Sequence, residues 1–304
     1  MNCEAVLLLG FGGPANPQEI RPFLDRVLQA RPIPPGRYEE VVNHYMRVGG
    51  KSPYNELTQR LAAALELALA KDSLDLPVRV AYRNAAPFIE EVLRNLADSG
   101  AKRVAGVVLA PQQSAPVDPY VHVVDRARAS LNASAPDVAY TRPYFDHPLF
   151  IAAHVARARD ALKRLSRSSL EETALIFSAH SIPCAVAARA PYVSQLERSA
   201  SMIARELGAD SWTLAYQSRS GSPKDAWLEP DVRDVLRGLP NAGMREALVI
   251  PLGFLCDHVE VLYDLDIDAA GVAAHAGLKM ERATALNDHP DFVKMLAELV
   301  RSVG

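Results

Sequence analysis

The stretch that indicates the fold class runs from Ala247 to Asp268 and reads ALVIPLGFLCDHVEVLYDLDID. Its first part is continuously apolar, which is typical of a strand buried on both faces of a parallel sheet. Gly253 then interrupts the apolar run. A helix is expected to begin near Asp257, whose side chain suits the N-cap position. A buried strand that leads through a short loop into a helix is typical of α/β folds.

The same alternation of apolar runs and amphipathic stretches continues along the whole chain. It predicts strands at Ala5–Gly10, Val78–Tyr82, Val104–Ala110, Val138–Thr141, Ala174–Ser178, Trp212–Tyr216, Ala247–Leu252 and Lys279–Arg282. It predicts helices from Pro17 with Asn16 as N-cap, over Tyr54–Lys71, Pro87–Ser99, Pro119–Ser134, Leu149–Leu165 and Gln195–Leu207, and from Pro290 to the C-terminus. Strands separated by helices require crossover connections, which favour parallel sheets.

The eight predicted strands divide into two groups of four on either side of a turn-rich junction at Tyr144–Pro148. We therefore predict an α/β fold with two similar domains, each a four-stranded parallel sheet flanked by helices, and a cleft between them. The first domain is expected to cover residues 1–145 and the second residues 146–289. The C-terminal helix, 290–304, is a candidate to pack on the first domain.

Composition and charge exclude several classes of protein. Of the 304 residues, 49% are hydrophobic and 23% are charged, which is typical of a soluble globular protein. Lys and Arg total 33 against 36 Asp and Glu, so the chain lacks the basic excess of a nucleic-acid binder. The apolar run from Ala247 to Cys256 is too short for a transmembrane segment, which needs about 20 residues. Glu4 and the absence of a basic stretch before the first apolar run argue against a signal peptide.

The three cysteines, Cys3, Cys184 and Cys256, show neither metal-site nor redox spacing. We therefore expect reduced thiols and a cytoplasmic location. An iron–sulfur cluster needs about four thiolates, so none is expected here.

Ligands of doubly wound sheets bind beyond the carboxyl ends of the strands, so the loops at these ends are the most informative. The loop GFGGPA at 10–15 matches a dinucleotide fingerprint by letter, but Pro14 interrupts it and no acidic strand end follows at the required distance. Its glycines let a ligand approach the backbone, or simply make the turn. His180, in FSAHSIP at 177–183, follows a buried strand and is a candidate catalytic group. No G-x-S-x-G motif accompanies its serines, which argues against a hydrolase.

The loop YQSRSGS at 216–222 is followed by WLEP at 227–230. Its amide, hydroxyl and guanidinium groups, which include Gln217 and Ser218, could hold a carboxylate or phosphate. A solvated polar loop is the alternative. Trp227 could be a platform for a flat aromatic ligand or a core residue.

Glu260, Asp264 and Asp268 repeat every four residues, which places three carboxylates on one face of a helix. Their repulsion would be offset by a bound cation, and solvation of an acidic face is the alternative. On an ideal helix each four-residue step drifts by about 40°, and a π-bulge would bring the three carboxylates closer into line. His258 and Glu260 are two residues apart, so only one of them is expected to face His180.

Five stretches, taken in order, resemble the ferrochelatase family, whose members insert ferrous iron into a porphyrin. They are LGFGGP at 9–14, GGKSP at 49–53, FSAHSIP at 177–183, YQSRSG at 216–221 with WLEP at 227–230, and DHVEVLYDLD at 257–266. The resemblance implies two Rossmann-like domains of the chelatase type, a porphyrin in the cleft, and Fe²⁺ as a substrate in haem biosynthesis. Protoporphyrin IX and coproporphyrin III are both candidate substrates. A cobalt or nickel chelatase for another tetrapyrrole and a non-catalytic porphyrin or haem carrier are the alternatives.

By motif position, the histidine–glutamate pair of the family falls on His180 and Glu260. A porphyrin must lose two pyrrole protons and receive a dehydrated metal ion, and either side chain could serve as base or as ligand. Together with the acidic face, this indicates four metal-binding candidates, which are His180, Glu260, Asp264 and Asp268. The predicted porphyrin contacts are Phe11, Arg31, Tyr45, Ser52, Gln217, Ser218 and Trp227. Phe11 is a departure, because coproporphyrin-using relatives carry a tyrosine there that can ligate iron. The resemblance is also compatible with transient contacts between this protein and neighbouring enzymes of the haem pathway.

Overall fold

The computed structural model describes residues 3–29, 33–115, 118–131, 134–165, 172–221 and 224–303. Arg31, one of the predicted porphyrin contacts, lies outside these residues. Within them the strands are β1 (Ala5–Gly10), β2 (Val78–Tyr82), β3 (Arg103–Val108), β4 (Asp137–Tyr140), β5 (Thr173–His180), β6 (Thr213–Gln217), β7 (Glu246–Ile250) and β8 (Lys279–Arg282).

The helices of the first half of the chain are α1 (Pro17–Leu28), α2 (Arg37–Arg47), α3 (Tyr54–Lys71), α4 (Ile89–Asp98) and α5 (Pro119–Leu131). Those of the second half are α6 (Pro148–Leu162), α7 (Cys184–Ala187), α8 (Tyr192–Leu207), α9 (Val232–Gly238), α10 (Val259–Tyr263), α11 (Ala270–His275) and α12 (Pro290–Val303). A 3₁₀ turn (Leu239–Ala242) follows α9, and a π-helix (Asp264–Ala269) connects α10 to α11.

The strands form two parallel sheets of four, with the orders β2-β1-β3-β4 and β6-β5-β7-β8. The two orders are equivalent, so the second half of the chain repeats the topology of the first. Every residue of β1 and β7 is buried, because helices cover both faces of each sheet. The predicted fold class, an α/β fold with two four-stranded parallel sheets flanked by helices, is confirmed.

All the predicted strands are present in the described chain, and no boundary differs from its prediction by more than two residues. The most consequential difference is in β5, which extends to His180 because it continues to pair with β6 up to Gln217. Asn16 caps α1 as predicted by accepting a hydrogen bond from the Glu19 N–H. Helix α2 and the short helices α7, α9 and α11 were not predicted.

One apolar cluster connects the two halves of the molecule. It includes residues of β1, β5 and β7 together with residues of α3, α6, α8 and α12. The C-terminal helix α12 packs against both α3 and α6, and therefore contacts elements from both halves. In the ranges that the structure describes, no helix is long and apolar enough to span a lipid bilayer.

Candidate active site

A cleft lies beyond the carboxyl ends of the second sheet, where they face the loop after β1 and helix α2. It consists of two adjoining cavities of about 180 Å³ and 320 Å³. Both cavities are lined by Phe11, Tyr45, His180, Val259 and Glu260. The cleft thus brings the predicted catalytic pair together with residues of the first half of the chain.

His180 is the last residue of β5, and its ring orientation is determined by the next residue. Nδ1 lies 2.6 Å from the Ser181 carbonyl oxygen, which can only accept a hydrogen bond. Nδ1 therefore carries the proton of the neutral imidazole, and Nε2 keeps its lone pair. Nε2 lies 3.8 Å from Oε2 of Glu260. This separation is too long for a direct hydrogen bond, and both atoms remain able to bind a third partner.

Both backbone polar groups of Glu260, its N–H and its carbonyl, are hydrogen-bonded. Its N–H donates to Nδ1 of His258, the N-cap of α10, at 3.2 Å. Its carbonyl accepts a hydrogen bond of 2.8 Å from Nε2 of Gln217, at the end of β6. The backbone of Glu260 is therefore anchored to the sheet, and its carboxylate is left to face His180.

His258 corrects one expectation. Asp257 was predicted as the N-cap of this helix, but its carboxylate is bound to Arg282 and Asn287, and His258 takes the capping position. Only one of His258 and Glu260 was expected to face His180, and it is Glu260 whose carboxylate approaches the His180 ring, at 3.8 Å. His258 also lines the larger cavity, because it precedes the helix and has an extended backbone.

The acidic face contains a π-helix, a widening of the kind expected to bring its three carboxylates closer into line. Asp264, its first residue, accepts a short hydrogen bond from Oγ of Ser218. Burial and, to a lesser degree, the neighbouring Glu260 raise the pKa of Asp264 to about 7, although the Ser218 hydrogen bond opposes the shift. Asp268 forms an ion pair of 3.0 Å with Nη1 of Arg233. The two residues lie at a polar cavity of about 270 Å³ that adjoins the cleft.

The four metal-binding candidates do not converge on one point. In the part of the chain that the structure describes, no group of three or more His, Cys, Asp or Glu side chains is arranged to hold a metal ion. His180 and Glu260 face each other, whereas Asp264 and Asp268 are engaged by Ser218 and Arg233. His180 and Glu260 thus form a pair that is open to the cleft, beside the carboxylates of Asp264 and Asp268, and the four side chains do not together surround one metal ion.

The predicted porphyrin contacts separate into two groups. Phe11, Tyr45, Ser52 and Ser218 line the cleft, and Gln217 lines the adjoining polar cavity with its Oε1 buried and unpaired. Trp227, in contrast, lines neither the cleft nor the polar cavity. The backbone at Gly221 lies directly over its indole, so close that a Cβ there would come within 2.2 Å of Cζ2. The structure therefore places Trp227 beneath the loop and not in the cleft.

Several lining residues were not identified from the sequence. Helix α2 contributes Tyr38, Val41 and His44 to one wall. A signal for this helix was present, because its first turn is acidic, its last turn is basic and its apolar residues recur at helical spacing.

Tyr54, Tyr120 and Tyr192 line the larger cavity, and burial raises the pKa of each phenol. The Tyr192 hydroxyl donates to the carbonyl of His180 at 3.1 Å, so this residue supports the end of β5. The Tyr54 hydroxyl accepts from the Phe11 N–H at 3.1 Å. No local sequence pattern marks these tyrosines, because the fold brings them together from distant positions.

Comparisons with known proteins agree with this geometry. The family model described as ferrochelatase matches residues 3–303. A coproporphyrin III ferrochelatase of Mycolicibacterium smegmatis is 38% identical over 304 residues, which cover 99% of this chain and 89% of that protein. A ferrochelatase of Rhodopirellula baltica is 39% identical over 300 residues, which cover 98% of this chain and 85% of that protein.

Among solved structures, SirB from Bacillus subtilis with Fe³⁺ is similar, with a TM-score of 0.63 at 15% identity, and covers 99% of this chain and 96% of its own. CbiX, described as the terminal enzyme of sirohaem biosynthesis in denitrifying bacteria, has a TM-score of 0.54 at 18% identity, with 99% of both chains covered. At these identities the two structures support the two-domain chelatase fold alone. The match of the family model along nearly the whole chain, and the identity to curated relatives, show that the protein belongs to the ferrochelatase family.

Proposed function

We propose that the protein inserts Fe²⁺ into coproporphyrin III in haem biosynthesis, with His180 and Glu260 acting at the insertion step. The observation that carries the proposal is the approach of His180 Nε2 and Glu260 Oε2 to 3.8 Å on the wall of the cleft. The choice of coproporphyrin III rests on the names of relatives such as the one from Mycolicibacterium smegmatis. Protoporphyrin IX is the competing substrate.

The pair supplies the chemistry that metal insertion requires. In its neutral form the His180 ring presents the lone pair of Nε2 to the cleft and can accept a pyrrole proton. The imidazolium formed in this way would be stabilised by the Glu260 carboxylate beside it. Glu260 can also replace a water ligand of the incoming ion. The two residues therefore divide proton acceptance and metal desolvation between them, and the geometry permits either assignment.

The remaining walls suit a flat macrocycle with carboxylate substituents. Phe11, Phe23 and Tyr45 form an apolar wall in which neighbouring rings meet edge to face at 6.0 Å and 6.2 Å. Such a surface favours the face of an aromatic ring system. Polar atoms of Ser52 and Ser218 lie at the cleft and could bind propionate groups. Arg31 is proposed as a further propionate contact on the resemblance alone.

We propose that the metal ion enters along the acidic face. Asp268, Asp264 and Glu260 occur in that order between the polar cavity and the cleft. Carboxylate oxygens can replace the water ligands of a hydrated cation one at a time. Asp268 would have to exchange its ion pair with Arg233 for the cation, and Asp264 its hydrogen bond with Ser218.

We also infer the domain boundaries, the state of the cysteines and the cellular location of the protein. We divide the chain into a domain of residues 1–145 and a domain of residues 146–289. We infer that no iron–sulfur cluster forms, because Cys3, Cys184 and Cys256 lie in three separate elements or loops and a cluster needs about four thiolates. The free thiols are typical of a reducing compartment, which supports a cytoplasmic location.

Metal insertion into free porphyrins, followed by absorbance under anaerobic conditions, tests the proposal. Purified protein should insert Fe²⁺ into coproporphyrin III with a higher kcat/KM than into protoporphyrin IX. Co²⁺ with sirohydrochlorin serves as the comparison for another tetrapyrrole. Faster turnover of protoporphyrin IX would identify it as the substrate in place of coproporphyrin III. Faster turnover of sirohydrochlorin would identify the protein as a chelatase for another tetrapyrrole. Tight porphyrin binding with no turnover would indicate a carrier.

The His180→Ala variant tests the role of the pair. It should lower kcat by about 10²–10⁴-fold, as expected for loss of a general base, and leave the porphyrin Kd nearly unchanged. His275→Ala is the matched control, because His275 is an exposed histidine at the end of α11. A His180→Ala variant with the kcat of the His275→Ala control would remove His180 from the mechanism.

A further inference from the structure

Arg282, the last residue of β8, binds two carboxylates that lie on either side of Glu260 in the sequence. Its Nε and Nη2 contact the two carboxylate oxygens of Asp266 at 2.6 Å and 2.7 Å, and its Nη1 contacts Oδ1 of Asp257 at 2.6 Å. Only 13% of the Arg282 side chain is exposed. We call Arg282, Asp257 and Asp266 the clasp. A two-oxygen contact of this kind fixes orientation as well as distance.

The Asp257 end of the clasp is anchored a second time. Nδ2 of Asn287 donates to Oδ2 of Asp257 at 2.7 Å, and the Asp257 N–H donates to Oδ1 of Asn287 at 3.0 Å. The Ala285 N–H also donates to Oδ1 of Asp257 at 3.2 Å. The start of the segment 257–269 is therefore immobilised against the loop that follows β8.

The Asp266 end of the clasp lies within the π-helix. Asp264 and Asp266 are two residues apart, so the contact that draws Asp266 towards Arg282 leaves Asp264 directed at Ser218 and the cleft. π-Helices are rare and occur mostly at functional sites, which indicates that surrounding contacts must maintain them. If the segment relaxed to a regular α-helix, residues on either side of the inserted position would rotate relative to each other by about 100°.

We propose that Arg282 is a positioning residue whose clasp on Asp257 and Asp266 maintains the π-helix and thereby keeps Asp264 and Asp268 in line with Glu260. The inference rests on the proposed function, because alignment of these carboxylates matters for catalysis only if a cation passes along them. Arg282 itself contacts none of the lining groups of the cleft.

The test compares Asp266→Asn, Arg282→Lys and Arg282→Gln with the control Arg164→Gln. Arg164 forms an ion pair of 2.7 Å with Glu281, the neighbour of Arg282 in β8, and its Nη2 donates to the Arg282 carbonyl at 3.0 Å. Arg164→Gln therefore controls for disturbance of the backbone at the end of β8, because Arg164 has no contact with the segment 257–269 among the hydrogen bonds and ion pairs described. Asp266→Asn removes a partly exposed carboxylate and should fold even if Arg282→Gln does not. Asp266→Glu keeps the carboxylate and should restore much of the lost function.

Steady-state kinetics with Zn²⁺ and coproporphyrin III provide the first measurement. The clasp variants should raise the KM for Zn²⁺ by about 10-fold, the loss expected when misalignment of Asp264 and Asp268 removes about one charge-assisted contact to the incoming cation. The KM for the porphyrin and the kcat at saturating Zn²⁺ should change by less than about 2-fold, because His180 and the apolar wall are untouched. Arg164→Gln should match the wild type in all three quantities.

Hydrogen–deuterium exchange of the amides in 264–269 provides the second measurement, and it does not depend on turnover. Exchange there should be faster in Asp266→Asn and Arg282→Gln than in Arg164→Gln, with amides of β5 unchanged. Exchange and Zn²⁺ KM values equal to those of the Arg164→Gln control would overturn the inference. A wild-type protein that inserts no metal would instead overturn the proposed function, and the exchange result would still decide whether the clasp maintains the π-helix.

Discussion

The Ser181 carbonyl determines which nitrogen of His180 is available in the cleft. The Ser181 carbonyl accepts a hydrogen bond from Nδ1 because the chain turns at Ser181, whose own N–H donates to the Gln217 carbonyl at 2.8 Å. Sequence reasoning could predict that a histidine ends a buried strand and that Glu260 belongs to the same site. It could not predict the tautomer, because that depends on a hydrogen bond formed only when β5 and β6 pair.

Glu260→Gln and Asp264→Asn should affect different kinetic constants. Glutamine is similar in size to glutamate but can neither accept a proton nor neutralise a cation, so Glu260→Gln should lower kcat by about 10²-fold or more. Asp264→Asn should raise the KM for the metal several-fold and leave the porphyrin KM unchanged, because Asp264 lies beyond the reacting atoms. Anaerobic Fe²⁺ titrations at saturating porphyrin measure both constants.

Glu56→Gln is the control for these two variants, because Glu56 is an exposed residue of α3 that pairs with Lys51. Its kinetics should be those of the wild type. If the KM of Asp264→Asn for the metal equals that of the control, Asp264 belongs to a solvated helix face and not to a metal path. That outcome would leave the assignment of Glu260 unaffected.

At the scale of single elements, β1, β2, β8 and α3 begin and end at the predicted residues. β1 and β2 are buried along almost their whole length, so their apolar runs mark their extent. Helix α2 was not predicted, although its acidic first turn and basic last turn are typical of a helix. The four-residue spacing of three carboxylates predicted a shared helix face, and a π-bulge was named only as a feature that would bring them closer into line; the structure has a π-helix there. The location of Trp227 depends on how the loop up to Gly221 folds over it, which no local pattern reveals.

Gly253 is the position where an added methyl group should displace the end of β5, which carries His180. Its N–H donates to the Ser178 carbonyl at 3.1 Å, and a Cβ there would lie 2.8 Å from Cβ and 2.9 Å from Cα of Ala179. Gly253→Ala should therefore lower the free energy of unfolding by about 1–3 kcal/mol. It should also reduce kcat, because His180 follows Ala179. Urea unfolding and steady-state kinetics measure the two effects.

Gly271→Ala is the matched substitution in α11, where a Cβ meets nothing within 4 Å. Here alanine should increase stability by about 0.5–1 kcal/mol, the usual difference from glycine within a helix. Its kcat should equal that of the wild type. If Gly253→Ala were as active and as stable as Gly271→Ala, the close approach of Gly253 to Ala179 would be required neither for stability nor for activity.

At the scale of the whole molecule, two sheets of the same topology share a single apolar cluster. Helices α6 and α12 lie in this shared region, and α12 contacts both halves of the chain. Close-packed interiors resist deformation, so a continuous core favours a cleft of constant width between the sheets. A rigid cleft is what distortion of a bound macrocycle requires, because the binding energy must bend the ligand and not the protein.

His154 in α6 is a polar group within this shared core, with only 1% of its surface exposed. Among the residues that the structure describes, its Nε2 has no hydrogen-bond partner, and its ring lies edge-on to Phe150 at 4.7 Å. Burial and, to a lesser degree, the nearby His289 and Arg157 lower the pKa of His154 to about 3. The folded protein therefore keeps this imidazole neutral at pH values where the unfolded chain protonates it.

The sign of the resulting pH dependence follows from proton binding. Above pH 6.5 both states are neutral at this position, so His154 adds no pH dependence there. As the pH falls from 6.5 towards 3, the unfolded state binds the proton and the folded state does not, and stability is lost. Between pH 7 and pH 5 this loss should amount to about 2 kcal/mol for a pKa near 3 in the folded state.

His154→Leu should abolish this part of the acid sensitivity. The free energy of unfolding of the variant minus that of the wild type should be about 2 kcal/mol larger at pH 5 than at pH 7, because leucine fills a similar volume and does not titrate. Urea unfolding at the two pH values measures the difference, with the exposed His275→Leu as control. If the difference between His154→Leu and wild type were the same at both pH values, His154 would have to be protonated equally in the folded and unfolded states. The core between α6 and α12 would then have to admit a partner for its Nε2.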